Sequence, residues 1–261
     1  MSFSRWSSVR EAARLAASVA YRAWLATSPA RRVRARRPAA PEVRLVSAAP
    51  VPPRFDGDTR AWAEGVLAGS FRPPFAADDP EGPHDELRLR GVLPALAAMC
   101  SGGDRAAVLG RIGELVRHTA ALADRRPVAG WDTSTAALRV LSLLDAVEEL
   151  ERVGIRLLDE EPWIRGFVAA HGGALRAGTV CEPAGNHWFV NAAGRTACTL
   201  LLGGRGPLPP GAVDRLARAF GRQFLEDGGH VELAPHYQVQ VLAQAERLLA
   251  ADAARGGRLA A

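Results

Sequence analysis

Lysine is absent. All 33 basic residues of the 261-residue chain are arginine, and the formal net charge is +5. Ammonium chemistry from a lysine side chain is thereby excluded, so any Schiff base or phosphate-loop lysine is ruled out. Cysteine is scarce: Cys100, Cys181 and Cys198 show no Cys-x-x-Cys spacing. An odd, scattered set reads as free buried thiols rather than a disulfide frame or a zinc site. There are only two tyrosines, Tyr21 and Tyr237, and eight phenylalanines. No apolar run is long enough to cross a bilayer. Helix-turn-helix, zinc-finger and RNP-type signatures are missing too, so nucleic acid is not an expected partner. The N-terminus lacks a clean apolar stretch, because Arg10, Arg14 and Arg22 interrupt it, so no signal peptide is expected there. Two readings of that segment stay open: a basic helix in solution or one lying on a membrane surface. The basic balance also has two readings: codon bias spread over solvated helix faces, or attraction for an anionic partner.

What is present is Ala, Leu, Val and Arg in helical rhythm. Apolar residues recur three and four apart, and no segment alternates as a strand does, so an all-α protein is expected. Residues 1–54 read as a basic helix followed by a Pro/Arg-rich linker, and residues 55–261 as the folded unit. Helices are expected near DTRAWAEGVLAG, with Asp58 as cap, and over DELRLRGVLPALAAMC, with a kink at Pro94. Others follow over DRAAVLGRIGELVRHTAALADRR, TSTAALRVLSLLDAVEELERV behind Asp132 or Thr133, EPWIRGFVAAHGGALRAG, AGNHWFVNAAGRTACTLLLGG, PGAVDRLARAFGRQFLEDGG and APHYQVQVLAQAERLLAADAARG. Short Gly- and Pro-bearing connections make neighbours antiparallel. The helices starting near Glu86, Trp131, Asn186 and His236 then point one way and share one rim. Helix N-termini favour anions.

The unusual residues gather at those starts. GNHWFVNA holds Asn186, His187 and Trp188, and DGGHVELAPHY holds His230, Glu232, His236 and Tyr237. Elimination across the C4–O4 bond of a uronate needs an offset for the carboxylate charge, a base for the C5 proton and an acid for the leaving oxygen. An Asn amide and a His supply the first. A tyrosine supplies the acid, or the base if its pKa, ~10 in isolation, is drawn down. The ordinary readings stand beside these: Asn186 as a helix cap, His187 as a satisfied histidine, and Tyr237 as a packed aromatic. Trp131 and Trp188 suit stacking on a sugar ring or core packing. Arg139, in a Leu-Arg pair, suits a cleft or an ion pair with a carboxylate. His84, His118 and His171 read as solvated or helix-terminal. The run His230-x-Glu232-x-x-x-His236 spans a turn and lacks the helical His-Glu-x-x-His spacing, so neither a metal nor a cofactor is expected.

The GNHWFVNA and DGGHVELAPHY segments, in this order, resemble the paired motifs of heparinase II/III-like polysaccharide lyases. AGWDTSTAALRVLSLLDAV is similar to the tryptophan-bearing turn and helix that precede them in that family. Where its members commonly carry Ser-Pro-x-Tyr-His, this chain reads Ala234-Pro235-His236-Tyr237-Gln238. The resemblance implies an incomplete (α/α) toroid of antiparallel hairpins, here expected to be truncated at its C-terminal side, where the family continues into a β-sandwich. It implies an acidic, uronate-containing polysaccharide as substrate and β-elimination as reaction. Asn186, His187 and Tyr237 would be catalytic. Trp131, Arg139, Trp188 and His236 would contact substrate, with His230 and Glu232 in support. Family members are often periplasmic or secreted; the chain's own localisation and oligomeric state stay open. The alternative is a non-catalytic relative that acts as a helical carbohydrate-binding or scaffold protein.

Overall fold

The computed structural model describes residues 57–71, 87–89, 91–100, 105–178, 186–204, 206–225, 229–232 and 235–257. The expected basic helix and linker of residues 1–54, His84 and Cys181 lie outside them, as does the side chain of His236. Ten helices form among the described residues: α1 Gly57–Leu67, α2 Val92–Met99, α3 Arg105–Arg125, α4 Pro127–Gly130, α5 Thr133–Arg152, α6 Leu157–Glu160, α7 Trp163–Gly178, α8 Asn186–Leu202, α9 Pro210–Gly221 and α10 Pro235–Ala253. The only pairing of extended backbone among these residues is an isolated antiparallel bridge between Phe224 and His230. The fold is therefore all-α. None of these helices is long and apolar enough to cross a membrane.

Local chemistry sets the boundaries. Asp132, not Thr133, caps α5: its carboxylate accepts the Thr135 N–H at 3.2 Å. Asp58 sits inside the first turn of α1 rather than before it, where its charge still suits the helix dipole. The DELRLRG segment does not run on into α2. Leu89 and Gly91 both adopt left-handed backbone, φ 55° and 74°, which breaks the chain before Val92. Pro94 consequently falls in the first turn of α2, where no intrahelical bond needs its missing N–H, and it marks no kink. α9 stops at Gly221 instead of continuing to the paired glycines. From there the chain folds back: the Val231 N–H donates to the Gln223 carbonyl and the Leu225 N–H to that of Gly229, both at 2.8 Å.

α5 and α8 form the centre. α5 packs on α2, α7 and α8, while α8 also meets α9 and α10. Small residues let the two central helices close up. A Cβ placed on Gly194 of α8 would lie 2.7 Å from the Ala137 Cα of α5. Ala136, Ala137, Ala193 and Ala197 are all fully buried beside that contact. The free thiols Cys100 and Cys198 are buried here, and burial pushes them up to about 11 and about 12, which leaves them unreactive.

Cross-chain contacts fix the directions. Ser134 meets His187, so α5 and α8 start together. Arg255, just past α10, reaches Glu148 of α5 at 2.5 Å and the carbonyl of Gly204 beyond α8 at 3.4 Å, so those three helices end together. α7 and α9 run the other way. Asn191, early in α8, donates to the Leu175 carbonyl late in α7 at 3.1 Å, and Trp188 meets Arg222 at the end of α9.

Candidate functional site at the helix starts

The end where α5, α8 and α10 begin carries a continuous row of polar contacts. The hydroxyl of Ser134 touches Nδ1 of the exposed His187. Next to it, the Asn186 backbone N–H donates to Glu232 Oε1 at 2.8 Å, across 46 residues. A carboxylate on the first turn of α8 offsets both an orphan N–H and the helix dipole. The cap of α8 is thus supplied by Glu232 from another part of the chain. The Glu232 N–H donates in turn to His230 Nδ1 at 3.1 Å. That bond makes Nδ1 an acceptor, so the neutral His230 ring carries its proton on Nε2. His230 is buried, and its Nε2 has no partner among the described residues. The Tyr237 ring lies beside it, 6.0 Å between centroids. An aromatic ladder continues inward from His230 through Phe224 and Phe220 to Phe189, with successive centroids 6.2, 4.9 and 5.9 Å apart.

The row can do specific chemistry. His187 is held by Ser134 at Nδ1, which leaves Nε2 for an external anion. Asn186 keeps its side-chain amide half-buried at the same helix start, and Tyr237 is half-buried at the start of α10. Among the described residues no three His, Cys, Asp or Glu side chains gather as a metal site.

Behind the row sits a buried arginine. Arg139, fully buried, donates from Nε to the Leu87 carbonyl at 2.6 Å, from Nη2 to the Gly130 carbonyl at 2.7 Å, and from Nη1 to His171 Nε2 at 2.8 Å. Its guanidinium lies 5.8 Å from the Trp131 ring. Burial is the main force lowering its pKa to about 9, against the pull of Asp124. Trp131 is equally enclosed: its Nε1–H donates to Asp124 at 3.3 Å and its ring stacks on His171 at 4.8 Å. His171 is not solvated or helix-terminal as its sequence context suggested. It is fully buried, donates Nδ1–H to the Phe167 carbonyl at 2.8 Å, and is pushed down to about 3 by burial and by Arg139.

The expectations for substrate contact change accordingly. Trp131 and Arg139 face the interior, where a sugar does not reach them, and they hold the turns at Leu87 and Gly130 instead. Trp188 is half-buried, and the Arg222 guanidinium covers one of its faces at 4.4 Å. Two residues at this rim carried no sequence signal of their own. Ser134 sits in a Thr-Ser-Thr run that reads as a helix start, and Arg222 reads as one more solvated arginine. The chain matches no family model, no curated protein and no solved structure.

Proposed function

We propose that this chain is the helical part of a heparinase II/III-like polysaccharide lyase, with its helices in an incomplete (α/α) toroid, acting on a uronate-containing polysaccharide. The observation that carries the reading is the row Ser134–His187–Asn186–Glu232–His230–Tyr237 at one end of three parallel helices. His187 Nε2–H and the Asn186 amide would hydrogen-bond the uronate carboxylate. Charge that builds on that carboxylate as the C5 proton leaves is then met by fixed donors. The Tyr237 oxygen would take the C5 proton and its hydroxyl would deliver that proton to the departing O4, so that the C5–H and C4–O4 bonds break and a C4–C5 double bond forms. Ser134 would orient His187, and His230 would orient Tyr237.

The test is the rise in ultraviolet absorbance from the unsaturated uronate, assayed in the native reading frame. Tyr237→Phe removes one hydroxyl and should leave folding intact while turnover falls roughly 10²–10⁴-fold. Asn186→Ala should fall by a similar order. Wild-type turnover in both variants, on a polymer the parent cleaves, overturns the assignment.

The non-catalytic alternative draws on a separate observation. Both tryptophans expected to stack on sugar are partly or wholly covered, Trp131 by the core and Trp188 by Arg222. That reading predicts binding of the polymer with no absorbance change on any uronate substrate.

A further inference from the structure

Several of the described arginines have acidic partners. Arg111 pairs with Glu114, Arg117 with Glu161, Arg152 with Glu149, Arg247 with Asp145 and Arg255 with Glu148, at 2.5–3.1 Å. The cleft at the far end is internally neutralised as well, since Arg156 and Arg165 both hold Asp159, at 3.0 and 2.9 Å. One face departs from this pattern. On α9, Arg215 and Arg218 are followed by Arg222, whose backbone stays helical at the C-cap. The spacing i, i+3, i+7 puts all three on one stripe about 10 Å long. None of the three makes an ion pair among the described residues, and Arg222 ends the stripe over Trp188, next to His187.

Neighbouring helices add to the stripe. Arg176, exposed in the last turn of α7, lies over the seam with α8: a Cβ on Gly172 would meet its Nη1 at 3.6 Å and Cys198 Sγ at 3.7 Å. It too makes no ion pair among the described residues. Arg195 of α8 falls between the two flanks. Arg215 spends one N–H on its own helix, a 3.4 Å bond to the Gly211 carbonyl, and its buried Nε has no partner. The guanidinium groups feel one another. Burial first, then Arg215 and Arg176, lowers the pKa of Arg195, and burial, then Arg218 and Arg176, lowers that of Arg215. Arg176, Arg215, Arg218 and Arg222, like charges with no ion pair among the described residues, are a stored demand for an external anion.

The geometry points to a binding stripe across α7, α8 and α9, made by Arg176, Arg215, Arg218 and Arg222, that takes a linear anionic glycan and leads it to the rim at Trp188. Guanidinium forks suit carboxylate and sulfate oxygens bidentately, and a row of them suits a polymer that presents one such group after another. The assignment of the glycan rests on the lyase reading of the adjacent rim; the anion demand of the stripe does not.

The experiment measures affinity of the whole chain for fluorescein-labelled polyglucuronate, for heparin and for neutral dextran. Affinity for both anionic polymers should weaken as salt rises, and dextran should not bind. Arg215→Gln/Arg218→Gln should lose roughly tenfold in affinity. Arg176→Gln, on a different helix, should lose a smaller factor in the same direction. The exposed pair Arg125→Gln/Arg126→Gln, at the end of α3, removes equal charge and should bind as wild type. Equal loss in the stripe and α3 pairs would mean net charge alone, and would overturn the stripe. Tighter binding of duplex DNA than of either glycan, lost in the same variants, would overturn the glycan as occupant. Stripe-dependent binding with no unsaturated product under any condition sinks the lyase reading and leaves the stripe. Product formed by the stripe variant with unchanged KM sinks the stripe and leaves the lyase.

Discussion

Arg139 shows how one side chain settles a region. A guanidinium with no solvent contact survives because three acceptors converge on it: two backbone carbonyls and His171 Nε2. Removing it orphans all three in the interior. Arg139→Leu should destabilise the fold by about 3–5 kcal/mol, read as a lower denaturation midpoint with an unchanged slope. Arg139→Lys should recover little, since an ammonium on a flexible stem cannot reproduce the planar fork. A lysine variant as stable as wild type would show that the fork is not what matters. The sequence marked Arg139 through its Leu-Arg pair but left a cleft and a carboxylate partner equally open, and its partners are in fact two carbonyls and a histidine. The reason is physical: its partners lie 52, 32 and 9 residues away, and no local pattern encodes a carbonyl brought in by a left-handed turn at Leu89. The burial of His171 is hidden from the sequence for the same reason. His171 reads as solvated or helix-terminal, yet Gly172 beside it is where α7 lies close to α8 and the histidine is what Arg139 binds.

At the scale of elements, periodicity located the helices well and misplaced their ends. Asp132 was visible as a cap because the capping interaction is local. The end of α9 was not, because Gly221 is one small residue in an otherwise helical run, and the bridge that draws residues 223–231 away from the helix depends on pairing with backbone beyond the turn. The close approach of α5 and α8 was likewise silent in the sequence, where alanines are everywhere. It makes a sharp prediction. Gly194→Ala places a methyl against the Ala137 backbone, which cannot move aside as a side-chain tip would. Overpacking of this kind costs about 1–3 kcal/mol. The thermal midpoint should fall, although alanine raises helix propensity. Gly211→Ala on α9, where nothing lies within 4 Å of the added carbon, should leave stability unchanged or raise it slightly. Matching effects at the two positions would show that the α5–α8 seam gives way freely.

Across the whole molecule, the buried His171 and the half-buried Asp145 set opposing responses to pH. His171 has its folded pKa lowered from 6.5 to about 3, so an unfolded chain binds this proton first as pH drops. Its contribution is complete above pH 6.5 and is lost as pH falls toward 3. Asp145 is the converse. Burial pushes its carboxyl from 3.8 up to about 7, even with Arg247 at 2.9 Å. Its neutral form is at ease in the fold, so stability is lost as pH rises from 3.8 toward 7. Between pH 4 and 6.5 each slope approaches about 1.4 kcal/mol per pH unit, with opposite sign. The native protein should therefore show a nearly flat stability profile in that window. His171→Gln should tilt it downward with rising pH, and Asp145→Asn should tilt it upward. Chemical denaturation at half-unit intervals reads both. Parallel profiles for wild type and both variants would dismiss the balance.

The staple formed by Arg247 and Arg255 has a consequence in time as well as space. A ribosome delivers α5 long before α10, and Arg255 follows Glu148 by 107 residues. At about 5–20 residues per second that is an interval of roughly 5–20 seconds. Throughout it, Asp145, Glu148 and Glu151 on the nascent chain lack those two arginines. Arg152, at the end of the same helix, is the cation already beside Asp145, and Arg247 and Arg255 complete the set last.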